Sequence, residues 1–208
     1  MQRRDFLKFA LMSASFSKAF ALKGGANLFV YYSRTLNTHI LASFFKKQLG
    51  GDLCRLHTKK NYPQDYAKMV EMASKQRQDN IFSALQDFNV NLKDYENIFI
   101  LSPLWGMDIC TPIKSFLFDR DFLAKNVVVV ITNAGYGLGN APTSLKRYAK
   151  NARILGILDY EFKDYEKIKP NLLSLNEEKI RQNKAFAELD KKKIEVFLKT
   201  TMTQRLKF

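Results

Sequence analysis

"VVVVIT", Val127–Thr132, sets four valines, an isoleucine and a threonine in a row with no polar residue to alternate against them. A strand with one wet face alternates, whereas an unbroken β-branched run fits a strand covered on both faces, as in a parallel sheet. Outward from it, similar runs recur. "NIFILS" (Asn97–Ser102) and "NLFVYYS" (Asn27–Ser33) read as strands, "DLCRLHT" (Asp52–Thr58) as a shorter one, and a fifth lies around Ile154–Leu158. Helical spacing separates them. Ile40, Leu41, Phe44, Phe45 and Leu49 share one helical face up to Gly50-Gly51, and a polar helical stretch runs from about Gln64 to about Leu85. Thr111-Pro112 caps and opens a helix bearing Ile113, Phe116 and Leu117, another helix lies near Thr143–Ala149, and a last one begins near Asn176 with Glu177 and Glu178 in its first turn. Strands alternating with helices, without internal repeats, predict an open α/β sheet wrapped on both faces.

The chain has 208 residues, enough for one well-buried domain, and is 46% hydrophobic with 17 Phe and 9 Tyr, as a folded protein is. Lys and Arg outnumber Asp and Glu by 34 to 20, a formal net of +14. That favours acidic partners; no Lys/Arg block interleaved with aromatics stands out, so no nucleic-acid surface is expected.

Residues 1–21, "MQRRDFLKFALMSASFSKAFA", read as an export leader rather than as part of the fold. Arg3, Arg4, Phe6, Leu7 and Lys8 resemble the twin-arginine pattern R-R-x-F-L-K, and Ala19-Phe20-Ala21 supplies a small-x-small cleavage site. The apolar stretch Phe9–Phe16 is short for a bilayer, so no transmembrane span is expected. The domain plan is then a signal over 1–21, a linker over 22–26 and one domain over 27–208, with the mature protein in the periplasm.

Ligands of open α/β sheets sit beyond the carboxyl ends of the strands, where three loops carry unusual chemistry. In Ser33–Thr38, Ser33, Thr35 and Thr38 offer hydroxyls, Asn37 an amide, and the following helix its free N–H groups, a set that suits a phosphate. The same residues are ordinary helix caps, so this loop alone fits either role. "SPLWGMDICTP" holds the single tryptophan, Trp105, which suits a flat ligand or an anchor packed on the core. "NAGYGLGNAP" has glycines at 135, 137 and 139 that allow close backbone approach, with Tyr136 between them.

In "YSRTLNT", "LSPLWG" and "TNAGYGLG", in that order, the chain resembles the flavodoxin family and its members with an "SRTGNT" type phosphate loop. The resemblance spans roughly Asn27 to Leu158. It implies a flavodoxin-like three-layer α/β/α sandwich, a five-stranded parallel sheet of order 2-1-3-4-5, and noncovalent FMN. By that likeness Ser33, Arg34, Thr35, Leu36, Asn37 and Thr38 would hold the phosphate. Pro103, Leu104, Trp105 and Gly106 would border one side of the ring, and Asn133, Ala134, Gly135, Tyr136 and Gly137 the other. Leu36 departs from the usual glycine; if that position needs positive φ, leucine costs about 1 kcal/mol.

His39 sits in the first turn of a helix and His57 ends a strand, with no third ligand at metal spacing, so no metal site is expected. Cys54 and Cys110 read as small buried residues rather than a disulfide. No nucleophile, base and orienter can be assembled, so hydrolysis is unsupported and no side chain is assigned a catalytic role. The charged stretch from Asp159 to Lys169 reads as a surface excursion. The expected function is an exported FMN-binding electron-transfer protein serving a redox protein or small electron acceptor. The alternatives are an FMN-dependent quinone or small-molecule reductase and an FMN-free flavodoxin-like interaction module.

Overall fold

The computed structural model describes residues 26–162 and 189–205. The leader over 1–21 and the helix start near Asn176 lie outside the described residues. In chain order the elements are β1 (Asn27–Tyr31), α1 (Asn37–Leu49), β2 (Asp52–Arg55), α2 (Tyr66–Gln78), a 3-10 turn at Leu92–Asp94, β3 (Asn97–Trp105), β4 (Asp108–Ile109), α3 (Thr111–Phe118), β5 (Asn126–Asn133), α4 (Ala141–Tyr148), β6 (Arg153–Glu161) and α5 (Lys191–Arg205).

The main sheet runs β2-β1-β3-β5-β6, all parallel, which is the expected 2-1-3-4-5 order. The sheet has six strands rather than five. β3 continues past Ser102 to Trp105, and β4 pairs back on it antiparallel, Leu104 against Ile109 and Trp105 against Asp108. Gly106 (φ 56°) and Met107 (φ 64°) both take positive φ, the two-residue turn whose twist matches that of its flanking strands. The stretch 102–110 is therefore a hairpin rather than an open loop.

Two other boundaries differ from expectation. α2 ends at Gln78, with Asn80 at φ 51° just beyond it, and the chain then returns extended so that Thr58 bridges Leu85. At its start Asp65 Oδ1 accepts from the Lys68 N–H at 2.9 Å, a side-chain cap. β6 runs on to Glu161, so residues 159–161 are strand and not the start of an excursion.

Side-chain alternation divides the core in two. On one face Leu28, Val30, Ile98, Ile100, Val127 and Val129 pack with residues of α2, α3 and α4. On the other, Phe29, Tyr31, Phe99, Leu101, Val128 and Val130 pack with α1 and α5. The valine run is buried throughout because its successive side chains feed the two layers in turn. α5 approaches β6 closely at Gly156, where an added Cβ would sit 2.8 Å from Thr201 Oγ1.

At the amino edge of the sheet, Asn27, Asn97 and Asn126 are register partners on β1, β3 and β5. Asn97 Nδ2 donates to Asn27 Oδ1 at 3.1 Å, Asn126 Nδ2 donates to Asn97 Oδ1 at 3.1 Å, and Asn27 Nδ2 donates to the Leu49 carbonyl at 3.1 Å. The three amides form one buried chain that ties the central strands to the end of α1.

Candidate functional site

Register fixes which loops meet. Tyr31 pairs with Leu101, and Pro103 with Thr132, so the carboxyl ends of β1, β3 and β5 lie side by side. After β1 the chain goes to β2 on one side and later crosses to β3 on the other, which makes β1/β3 the switch point where crevices open in such sheets.

The first loop ends in Leu36, the N-cap of α1, at φ 70° and ψ −8° with no side-chain cap. A leucine therefore adopts the left-handed conformation that glycine accepts freely, at a cost of about 1 kcal/mol. Its side chain is only 3% exposed, and that burial offsets the strain. The N–H groups of Thr35, Leu36, Asn37 and Thr38 meet no acceptor among the described residues. The next amide, His39, donates to Ser33 Oγ at 3.3 Å, and the Leu36 carbonyl accepts the first helical bond from Ile40 at 2.8 Å. Asn37 Oδ1 is buried and finds no donor. An apolar pocket would leave these groups stranded, whereas an anion with hydroxyls nearby would satisfy them.

The other side chains of this loop have separate duties. Thr38 Oγ1 lies 2.8 Å from Thr132 Oγ1, a buried contact that pins the start of α1 to the end of β5. Arg34 leans toward α2, donating to the Gln64 carbonyl at 3.3 Å with its guanidinium 5.9 Å from the Tyr66 ring centre. Arg55, at the end of β2, donates to the Ser33 carbonyl at 3.1 Å and brings a second cation to the loop. The Thr35 hydroxyl is half-buried and makes no hydrogen bond among the described residues.

Below the loop, the Tyr31 hydroxyl lies 2.6 Å from His39 Nδ1. Burial, and then nearby Arg55, push the His39 pKa down to about 4, while burial pushes Tyr31 up to about 12. The phenol thus stays protonated and donates to a neutral imidazole. Because the unfolded chain binds a proton at His39 from near pH 6.5 and the folded one only near pH 4, this group's contribution to stability is complete above pH 6.5 and is lost as pH falls toward 4. Denaturation at pH 7 and pH 5 should show a larger loss for the native chain than for His39→Gln; equal losses would rule out the linkage.

Trp105 is half-buried and meets two tyrosines edge-on, Tyr32 at 5.4 Å and Tyr62 at 4.8 Å between ring centres. Tyr62 is itself fixed, donating to Gln76 Oε1 at 2.6 Å and lying 2.7 Å from Ser83 Oγ. Arg77 donates to the Gly106 carbonyl at the tip of the hairpin. Beneath it the buried Asp108 carboxylate meets Lys114 Nζ at 2.7 Å and accepts from Ser144 Oγ at 2.8 Å. Trp105 is thus a half-buried ring anchored at the carboxyl end of β3. Pro103 and Leu104 lie on the same strand end, half-buried.

In the third loop Asn133 is buried, while Ala134, Gly135 and Tyr136 are exposed and Gly137 is half-buried. Tyr136 is 68% exposed, with no ring partner among the described residues. Gly135 (φ 96°) and Gly137 (φ 66°) both take conformations that disfavour other residues. The loop joins the hairpin: Asn140 N–H donates to the Met107 carbonyl at 2.7 Å, and at Gly139 a Cβ would stand 2.4 Å from that same oxygen.

The three expected loops are thus brought together, but Arg55, Tyr31, Thr132 and Asp159 were not in the expected set. Arg55, Thr132 and Asp159 each reach a loop through one long-range bond, to Ser33, Thr38 and Asn133, that leaves no periodic trace in sequence, while Tyr31 meets His39 eight residues on. Cys54 and Cys110 are buried and unbridged, and burial raises both thiols, to about 11 and about 12. Among the described residues no helix is long and apolar enough to cross a membrane.

A parallel sheet whose winding order reverses between β1 and β3, with helices on both faces, defines the doubly wound α/β class. Within that class residues 27–157 match the family model for flavodoxin, and the chain belongs to the flavodoxin family. In fold it is similar to a flavoprotein of Lactobacillus acidophilus solved in complex with FMN (TM-score 0.58, 23% identity, covering 71% of this chain and 99% of that one). It is likewise similar to the apo-form of the flavoprotein from that organism (TM-score 0.52, 21% identity, 69% and 97%). A protein from Bacteroides uniformis is also alike (TM-score 0.58, 25% identity, 71% and 97%). No curated protein matches the sequence.

Proposed function

We propose that this chain is an exported redox protein that carries noncovalent FMN at the carboxyl edge of its sheet and passes electrons in the periplasm. One observation carries the proposal: among the described residues, four consecutive amides at the uncapped start of α1 meet no acceptor, and an adjacent buried side-chain oxygen meets no donor. A flavin nucleotide offers both complements, phosphate oxygens for the amides and ribityl hydroxyls for Asn37 Oδ1. The Lactobacillus flavoprotein, solved with FMN, supports the same assignment.

In this reading the amides of Thr35 to Thr38 and the Thr35 hydroxyl hold the phosphate, with Arg55 and Arg34 supplying positive charge at its flanks. Trp105 and Tyr136 border the ring from neighbouring strand ends. Electron transfer is the cofactor's own chemistry, and the protein controls position, water access and charge. Without the leader's Arg3, Arg4, Lys8, Lys18 and Asp5 the net charge is +14 − 4 + 1 = +11, which favours an acidic redox partner. The leader supports export, and intact-mass measurement of secreted protein should give a chain starting at Leu22.

Purification of the chain from residue 22 tests cofactor binding. A yellow protein bleached by dithionite is expected. A colourless protein whose calorimetry with added FMN gives no heat would instead favour an FMN-free interaction module, to which the strained Leu36 lends support.

A further inference from the structure

The third loop is shaped by a carboxylate outside it. Asn133, the last residue of β5, accepts the Gly135 and Tyr136 N–H groups on its side-chain oxygen, at 2.8 Å and 3.0 Å. That leaves the orientation of its amide to be fixed from the other end. Asn133 Nδ2 donates to Asp159 Oδ1 at 2.5 Å, across from β6. A flipped amide would face the carboxylate with oxygen and the two backbone N–H groups with NH₂, which makes three repulsive contacts from three attractive ones. The Asn133 carbonyl is held as well, accepting from Phe162 N–H at 2.9 Å. β6 supplies Asp159 because it runs on past Leu158, the partner of Val130, pairing Asp159 with Ile131 and ending at Glu161 opposite Asn133. The loop itself has little else to define it, since Gly135 and Gly137 each permit many conformations and Tyr136 is exposed.

We propose that Asp159 is a positioning residue: through Asn133 it locks the Gly135–Tyr136 backbone in the one conformation that presents Tyr136 to the ligand crevice. The ligand part of this inference rests on the FMN reading above, whereas the loop part stands on geometry alone. Asp159 does not touch the ligand in this scheme. Its second carboxylate oxygen lies on the Gly137 side of the loop, 4.0 Å from where a Cβ there would stand, so a bulkier side chain at 137 would press on the same group.

The test uses the mature chain, first without FMN. Amide exchange followed residue by residue in Asp159→Ala should be about ten- to a hundredfold faster at Gly135 and Tyr136 than in the native protein, with Phe99 in the central strand unchanged as a control for global opening. Asp159→Asn, which keeps an acceptor, should restore most of the protection. Adding Asp159→Ala to Asn133→Ala should produce no further change, because both act along one path. Unaltered exchange at residues 135 and 136 in Asp159→Ala would overturn the proposal, as would an equal rise at Phe99. With FMN present, the fast-exchanging variant should bind at least several-fold more weakly, and undiminished affinity would overturn the link between loop order and ligand. If the native protein takes up no FMN, the functional reading fails alone, and the exchange data still decide the role of Asp159.

Discussion

Replacing Thr35 by glutamate is expected to weaken FMN binding by about a hundredfold while leaving the ligand-free protein as stable as before. A carboxylate on that half-buried side chain would lie among the bare amides proposed to hold the phosphate. Two unit charges about 5 Å apart repel by roughly 3 kcal/mol at an effective permittivity of about 20, and about 1.4 kcal/mol is a factor of ten in affinity. The ligand-free fold has no reason to suffer. The Thr35 side chain makes no hydrogen bond among the described residues, and α1 has no acidic residue in its first turn, so added negative charge there is favourable to the helix. Calorimetric titration with FMN and urea denaturation of the same samples would check both halves. Unchanged affinity would mean that the phosphate is bound elsewhere.

Asn97→Ala should cost about 3 kcal/mol of folding free energy, the largest effect anticipated from a single truncation far from the crevice. Asn97 is 1% exposed and stands in the middle of the asparagine chain at the amino edge. Its removal strips the buried Asn27 Oδ1 of its donor, which costs about 1–3 kcal/mol, and takes from Asn126 Nδ2 one of two acceptors, leaving it Glu96 Oε1 at 3.3 Å. Set against a typical total of about 5–15 kcal/mol, such a loss is severe but leaves a folded population to measure. The denaturation midpoint should fall sharply, and FMN affinity of the remaining folded protein should not change. A loss below about 1 kcal/mol would show that water replaces the missing amide.

Most of the layered fold could be read from local pattern. The unbroken valines required two covering layers, and the Thr111-Pro112 pair announced a helix start, although the structure makes Cys110 rather than Thr111 the N-cap, with no side-chain cap, and Thr111 the first helical residue. The hairpin of β3 and β4 could not be read, because two residues are too few to show a period and Met107 in a left-handed turn carries no such signal. The crevice divides likewise. Its loops were visible as clusters of hydroxyls, glycines and aromatic rings, while Arg55 on Ser33, Thr132 on Thr38 and Asp159 on Asn133 depend on register between distant strands. The asparagine chain did leave a mark: the same residue opens β1, β3 and β5, each time immediately before an apolar run. Its meaning appears only when the strands lie side by side.

Trp105, wedged against Tyr32 and Tyr62 at the carboxyl end of β3, is the single tryptophan in the chain. Emission excited beyond the absorption of the nine tyrosines therefore originates at one known point, beside the place proposed for the chromophore. Occupancy can be followed without any label, as darkening of that one indole, and the unmodified protein becomes its own binding assay.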